Sequence, residues 1–538
     1  MKRILTLFLF LSCIVALQAQ VKFLSRFEVP GQPFDPVFEM MRIPDGLVSF
    51  RTYQERSFTK GKVFQFFISD LDLNTKGLIE LTIRPGFEMV GYDIDEKYLF
   101  VLFSRGYNTN AEKYILQVNL ETSQGFEFSA ENLLNMELVE FLVQNRKAVF
   151  MGNAEGRPAL QIFDLDDKSI HTVQGIYGNN TQVLQIRKIP ELESLEVVLS
   201  RRGLYKNRET SIITFDMLGN LIREVKVDQF GNPGQEILEG LLLADQNYQQ
   251  VMIGSFGLDG RNAYQGAYIM EINEFGEYGF KLYTLEDLPN FFNYLPEKQK
   301  NKRDQEVIRE LGKSKIPVIR NTFSIRDVRE TPDAYYLYFD QINIVSARGG
   351  RPGGVSPTNA YRYDRTTRMG YAPFYMDPLL SPIMPIQSFN MSNEYQYQSA
   401  HFIKVSKEGQ VIWDNSATYK NFTTDYPEPF GEMAIVGDDL YHLYVDNNVI
   451  MASFFRNGEK KFDFLSFELE LIDPGDRLKN TDGGTLRLVH WYDRYFILTG
   501  QQSIRFLNSS NREETRDVFF MSKILVDGDL YQPEKVRD

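Results

Sequence analysis

Ser211-Ile-Ile-Thr-Phe-Asp-Met-Leu-Gly-Asn-Leu-Ile-Arg-Glu-Val-Lys-Val227 decides the fold. Ile213, Phe215 and Met217 lie on one face of an extended strand, and Thr214 and Asp216 on the other. Asp216 opens a tight turn, because its carboxylate can bond backbone N–H groups two residues on. Gly219 closes the turn, since glycine takes a positive φ at no steric cost. A second strand leaves with Leu221, Arg223, Val225 and Val227 on one face and Ile222, Glu224 and Lys226 on the other. The stretch is a β-hairpin.

Variants of this hairpin recur along the chain. Strict Asp/Asn/Ser-x-x-Gly turns stand at Asp216–Gly219, Asn273–Gly276 and Ser406–Gly409, with looser ones at Asn457-Gly458 and Asp527-Gly528. An apolar strand opens each unit, as in Tyr98-Leu-Phe-Val-Leu-Phe103, Leu195-Glu-Val-Val-Leu199, Tyr335-Tyr-Leu-Tyr-Phe339, Leu440-Tyr-His-Leu-Tyr-Val445 and Tyr495-Phe-Ile-Leu498. Unit starts fall near Leu47, Tyr98, Lys147, Leu195, Gln250, Ala334, Asp439 and Tyr495, mostly about 50 residues apart. Near-continuous apolar strands suit sheets sandwiched between neighbours. Four-stranded antiparallel units of this length are what propeller blades require, and radial packing hides their edges. The expected fold is therefore an all-β propeller of eight four-stranded blades, with seven as the alternative. Val21 to Val29 is expected to complete the last blade. A β-solenoid would need a shorter repeat.

The 538-residue chain is 14% aromatic, with 29 Tyr and 42 Phe, a strand-forming bias. Its net charge of −13 opposes binding to nucleic acid or anionic lipid. Met1 to Ala19 reads as a secretory signal: Lys2 and Arg3, the apolar run Ile4 to Leu17, then Ala19 at the cut. The single cysteine, Cys13, lies inside that run. Disulfides and cysteine–metal sites are thereby excluded from the mature chain. The expected organisation is a signal over 1–19 and one propeller domain over 20–538. The expected location is the periplasm, the outer membrane or outside the cell, with no transmembrane segment.

Two insertions break the period. In Leu285 to Ile316, Asp287 is expected to cap a short helix with Pro289 in its first turn. Phe291, Phe292 and Leu295 would share an apolar patch. A second helix is expected over Glu297 to Gly312, with Val307, Ile308 and Leu311 as its thin apolar face. From Glu297 to Lys315 there are seven Lys/Arg against four Asp/Glu. The second insertion, Ile344 to Gln398, holds the Gly-rich tip around Arg348 and Arg351 and then Tyr361, Tyr363, Tyr371, Phe374 and Tyr375, interleaved with Arg362, Arg365 and Arg368. Such a mixture reads either as a long hairpin or as a contact surface.

Motifs for chemistry are weak. Asp70-x-Asp72-x-Asn74 resembles the start of a calcium loop, but Thr75 and Leu81 stand where Gly and Glu are needed, so a polar turn is expected. Asp164-Leu-Asp-Asp167 reads the same way. His171, His401, His442 and His490 have no partner at metal-ligand spacing. There is no Gly-x-Ser-x-Gly, phosphate loop or dinucleotide fingerprint, and Gly254 to Asn262 reads as a strand connection. No cofactor or metal is expected. Carboxylates could form a glycosidase pair in a central channel, but no local motif marks one.

Phe402-Ile-Lys-Val-Ser-Lys-Glu-Gly-Gln-Val-Ile-Trp413 is similar to the repeat of pyrroloquinoline-quinone-type propellers, matched at Gly409 and Trp413. That resemblance implies blade geometry, with Trp413 docking between blades, and no quinone. More broadly, the chain resembles a group of uncharacterised exported propeller-like proteins of Bacteroidetes, through Leu285 to Lys302 and Gly409-Gln-Val-Ile-Trp-Asp-Asn415. The group implies no catalytic residues. The sequence reading is thus a non-catalytic exported scaffold or accessory subunit that binds another envelope protein. Its expected contacts are Phe291, Phe292, Leu295, Arg348, Arg351, Tyr371, Phe374 and Trp413. A propeller that binds or hydrolyses glycan with channel carboxylates is the alternative.

Overall fold

The computed structural model describes residues 20–32, 35–54, 61–106, 108–202, 208–243, 248–258, 263–346, 368–369, 393–424, 431–446, 448–508 and 510–527. The signal stretch, Arg348, Arg351, Tyr371 and Phe374 lie outside these residues. The fold is a β-propeller of eight antiparallel blades. The chain divides into two compact units, and each is described by itself.

Residues 35–429 carry six blades. Blade 1 is built from Glu39–Ile43, Gly46–Tyr53, Val63–Asp70 and Ile79–Thr82; Arg368–Met369 pairs with its first strand as a short fifth. Blade 2 comprises Glu88–Asp95, Tyr98–Ser104, Lys113–Asn119 and Gly125–Ala130; blade 3, Glu137–Gln144, Lys147–Ala154, Arg157–Asp164 and Ile170–Thr172. Blade 4 holds Thr181–Ile189, Ser194–Arg202, Arg208–Asp216 and Leu221–Val227, so the hairpin read first supplies its third and fourth strands. Blade 5 is Gln235–Leu242, Gln250–Leu258, Ala263–Ile272 and Tyr278–Thr284; blade 6, Thr322–Glu330, Ala334–Ser346, Asn393–Ser406 and Val411–Thr424.

The smaller unit, residues 1–34 with 430–538, carries two blades. Blade 7 is Glu432–Val436, Asp439–Asp446, Val449–Arg456 and Glu459–Glu468. Blade 8 is Arg477–Tyr492, Tyr495–Leu507 and Glu513–Asp527, and Gln20–Pro30 joins Glu513–Asp527 as its fourth strand, as expected from the sequence. Its core meets that of blade 7 through Leu443, Ile450, Phe496, Leu498 and Phe520.

Every unit start read from the sequence is the second strand of a blade, not the first. The second strand is buried on both faces, as in Tyr98–Ser104, and so is the most continuously apolar. First strands are harder to recognise. In blades 2 to 6 each contains a register shift, for example between Leu138 and Glu140 and between Ile237 and Glu239, which breaks simple alternation.

Successive blades of the larger unit share alternate faces of these strands. Leu99, Val101 and Phe103 pack on blade 1 with Phe50, Phe64 and Phe66, while Phe100 and Leu102 pack on Phe141 and Phe150 of blade 3. First strands are also latched side by side. Asp93 Oδ2 accepts from Val143 N at 2.7 Å, Gln185 Oε1 from Leu242 N at 2.7 Å and Glu239 Oε2 from Ile325 N at 3.2 Å. Lys188 of blade 4 donates to Asp93 of blade 2 at 2.8 Å and to Val143 O of blade 3 at 3.1 Å. Arg187 pairs with Glu196, whose other oxygen accepts from Gln250 of blade 5. These carboxylates and the Gln185 amide fasten blade to blade.

One turn joins the third and fourth strands in each of blades 1 to 6. Asp216 Oδ1 accepts from Leu218 N at 2.9 Å and Asn220 N at 2.8 Å, and Gly219 sits at φ +82°. The same two bonds occur at Asp70 and Asn273; Asn119 and Asp164 accept from N–H groups two and three residues on, and Ser406 from the one four residues on. The calcium-loop look-alike at Asp70 is therefore this turn, with Leu73 at φ +64° where blade 4 has glycine. Gly219 has a second role: a β-carbon there would lie 3.1 Å from Val173 Cγ2 on the fourth strand's side of blade 3.

Candidate functional site

The first insertion and the fourth strand of blade 6 build the candidate site. After Thr284 the chain makes successive turns instead of the short helix expected from Asp287 and Pro289. Phe291 N bonds Leu288 O at 3.1 Å, Asn293 N bonds Asn290 O and Leu295 N bonds Phe292 O, both at 3.0 Å. Asp287 accepts from Thr284 N and Oγ1, closing the first turn back on the strand.

The turns persist because blade 6 satisfies the segment's backbone. Asp414, which is 3% exposed, accepts from Asn290 N at 3.0 Å. Asn415 accepts from Asn293 Nδ2 at 3.1 Å. Ser416 Oγ donates to Phe291 O at 2.9 Å, and Thr418 Oγ1 donates to Tyr294 O at 2.8 Å. Burial pushes the Asp414 carboxyl up to about 6, although its bonds from Asn290 pull the other way. The two stretches that carry the Bacteroidetes resemblance, Leu285 to Lys302 and Gly409 to Asn415, thus lie bound to each other through Asp414 and Asn415.

Beneath the turns is a buried aromatic cluster. Leu285, Leu288 and Phe291 enter the core between blades 5 and 6 with Phe323, Leu337 and Phe339. The His401 ring stacks on Phe291 with centroids 4.0 Å apart, and its Nε2 lies 2.8 Å from Ser399 Oγ. Burial drops the His401 pKa to about 3, so the ring is neutral across the physiological range. It is a packing residue. Among the described residues no group of three His, Asp or Glu is placed to hold a metal.

Helix α1, Glu297–Leu311, follows Pro296, whose carbonyl accepts from Gln299 N and Lys300 N. No residue of it is buried. Val307 packs partly against the core, while Ile308 is 68% exposed, so the expected apolar face is narrower than read. Arg303 and Arg320 both pair with Glu306, at 2.8 and 3.3 Å. The Arg303 bond holds the Glu306 carboxyl below its ordinary range.

Between α1 and blade 6 lies a cleft of about 730 Å³, within the ~300–1,000 Å³ typical of ligand sites. Lys302, Arg303 and Arg320 supply three cations to its lining against the one carboxylate of Glu306. Gln299, Gln396, Gln398, Thr418 and Thr423 add amides and hydroxyls, and Tyr294, Tyr397, Tyr419 and Phe422 add rings. The Tyr419 hydroxyl is anchored on Asp340 at 2.9 Å and lies 2.6 Å from that of Tyr338. A smaller cavity of about 190 Å³, lined by Phe291, Phe292, Val307 and Ile319, shares Tyr294, Arg303, Glu306 and Arg320 with the cleft.

Of the contacts expected from the sequence, Leu295 lines the cleft and Phe292 the smaller cavity. Phe291 is 2% exposed and belongs to the core, and it also lines the smaller cavity. Trp413 is half-buried, edge-to-face with Tyr336 of its own blade at 6.0 Å. Arg348, Arg351, Tyr371 and Phe374 are outside the described residues. Arg320, Tyr397, Tyr419 and Phe422 were not expected, and no local motif marks them. Lys302 and Arg303 had a signal in the basic excess of Glu297 to Lys315.

No family model matches the chain, and no curated protein matches it. Among solved structures it is similar to the β-propeller domain of the Trilobed protease from Pyrococcus furiosus, at 10% identity over 80% of this chain and 97% of that one, with a TM-score of 0.35. It is similar to the polysaccharide lyase Uly1 at 8% identity, over 94% of this chain and 100% of that one, with a TM-score of 0.37. A prolyl endopeptidase matches at 11% identity over 81% of this chain, with a TM-score of 0.37; the chain spans 50% of that protein's length. Likenesses at these scores carry no argument about what this chain does.

Proposed function

We propose that the chain is an exported, non-catalytic propeller that binds another protein of the bacterial cell envelope, as a scaffold or accessory subunit. The observation that carries this reading is the first insertion. Its turns are fastened to blade 6 by Asp414, Asn415, Ser416 and Thr418, and it holds the mostly polar helix α1 beside a cleft with three cationic side chains. A helix with no buried residue gives little to the core, and its seating next to turns fastened to blade 6 suits recognition. The secretory character of Met1 to Ala19 supports an envelope location.

Affinity purification of the tagged chain from detergent-solubilised envelopes tests the reading. One envelope protein should co-purify in fixed stoichiometry at native expression levels. Recovery of the chain alone would end it, as would turnover of a small substrate by the purified protein.

A further inference from the structure

We infer that the cleft between α1 and blade 6 binds an extended, carboxylate-rich peptide segment of the partner. This rests on the protein-binding reading above and adds the chemistry of the bound segment.

The argument is first electrostatic. The chain carries a net charge of −13, yet this lining has three cations and one carboxylate. Arg303 and Arg320 share the single Glu306 carboxylate, and Lys302 projects from the exposed side of the same helix. Each guanidinium therefore keeps donors for a further acceptor, because one carboxylate cannot satisfy two five-donor forks. A cationic cleft in an acidic molecule selects for anionic ligands and repels cationic ones.

The remaining lining separates a peptide from an acidic sugar. A saccharide would be expected to lie flat on an open ring. Tyr397 and Tyr419 are 2% and 3% exposed, and Tyr397 meets both Tyr419 and Phe422 edge-on, at interplanar angles of 86° and 80°. Tyr397 and Tyr419 therefore offer no broad open face, which leaves Tyr294 and Phe422 as the half-exposed rings of the lining. The lining also carries amides and hydroxyls: Gln396, Gln398 and Thr418 are held by Asn343, Glu394, Asn321 and the Tyr294 carbonyl, while Gln299 and Thr423 add groups that match the donors and acceptors of a peptide backbone.

The test is fluorescence anisotropy of the full chain with a fluorescein-labelled octapeptide alternating Glu and Tyr. Binding should be saturable, weaken with salt, and be absent for the Lys-Tyr counterpart. Lys302→Glu combined with Arg320→Glu should weaken it by about tenfold or more, while Lys298→Glu, on α1 but outside the lining, should not. Both substituted residues are exposed, Arg320 with 65% of its side chain in solvent, so the fold should survive, checked by an unchanged melting temperature. Equal binding by the double variant overturns the inference. So does stronger binding of trigalacturonate that is lost in the same variant, which would assign the cleft to an acidic sugar. If the double variant still retrieves the envelope partner, this inference fails and the protein-binding reading stands. If wild-type chain retrieves nothing, both fail.

Discussion

Replacing Lys188 with Met should be among the most damaging single changes to the larger unit. The stem is preserved and only the ammonium is lost. In the native chain Lys188 Nζ lies 2.8 Å from Asp93 Oδ2, with side chains 6% and 0% exposed, and it also donates to the carbonyls of Ile94 and Val143. At an effective dielectric constant near 20, the pair attracts by about 6 kcal/mol, most of which offsets the cost of removing both ions from water. After the substitution Asp93 keeps the Val143 N–H as a donor but no counter-ion. Breaking a buried pair from one side typically costs ~3–5 kcal/mol. Asp93→Asn can still accept from Val143, so the double variant Asp93→Asn/Lys188→Met should cost below about 2 kcal/mol. The two changes should therefore couple by at least ~2 kcal/mol in a double-mutant cycle. Asp95 adds a pH signature: burial raises its pKa and Lys188 pulls it back, so losing Lys188 should raise it further. The penalty for Lys188→Met should then shrink as pH falls from 8 to 4. Urea midpoints from far-ultraviolet circular dichroism measure all of this. A Lys188→Met variant within about 1 kcal/mol of wild type, or a double variant no better than it, would refute the claim that these first strands are tied together by charge.

Other expectations follow from the turns and the insertion. Asp414 has a folded pKa raised to about 6, so its ionisation disfavours the fold, and stability is lost as pH rises through that interval. Asp414→Asn should match wild type at pH 4 and exceed it at pH 8, by up to about 3 kcal/mol; a less stable variant at pH 8 would show that the charge itself holds Asn290. His401 has the opposite sign: its pKa is depressed to about 3, so wild type should lose stability as pH falls below the unfolded value near 6.5, by about 1.4 kcal/mol per unit. A His401 ring that titrates above pH 5 by NMR would contradict its burial against Phe291. Gly219→Ala should cost at least ~1 kcal/mol, since φ is +82° and Val173 leaves 3.1 Å for the new carbon. Lys168→Gly, at φ +64° in the exposed position equivalent to Gly219, should stabilise by about 0.5–1 kcal/mol; thermal melts distinguish the pair.

The repeat was legible because its most buried strand is also its most apolar one. Tyr98–Ser104 and Tyr335-Tyr-Leu-Tyr-Phe339 announce themselves by composition alone. What was read as the start of each unit was its second strand, since first strands trade apolar positions for latching groups such as Asp93, Gln185 and Glu239. Glycine marks the hairpin turn in blades 4, 5 and 6; the copies in blades 1 and 3 were legible only as polar Asp-rich turns, and the copy in blade 2 was not legible. In blades 2 and 3 Ser123 and Lys168 hold the left-handed position, and Asn119 and Asp164 supply the bonds. The side-chain acceptor, not the glycine, defines the motif: an oxygen bonded to N–H groups two to four residues on lowers the turn's cost enough to tolerate an unfavourable φ.

The candidate site was harder to read for a physical reason. A cleft forms where elements distant in sequence meet, and the residues that line this one come from Tyr294 to Arg320 and from Gln396 to Thr423. Sequence showed the basic excess of α1 but not the wall opposite it. Phe291 and Leu295 read alike as large apolar residues of one patch, and size and apolarity cannot separate Phe291, spent on the His401 stack, from Leu295, left at the cleft. The distinguishing fact is the polar run Asp414-Asn415-Ser416-x-Thr418. Four side chains with acceptors or hydroxyls in five residues of a fourth strand look like an ordinary solvated edge. In the folded chain three of the four bond backbone groups of the segment Asn290 to Tyr294, and Asn415 bonds a side chain there. Those bonds take the places that i to i−4 helical bonds would have filled, so the segment stays in turns and Phe291 points inward. The position of α1, and with it the charge of the cleft, is thus set by a polar strand more than a hundred residues downstream.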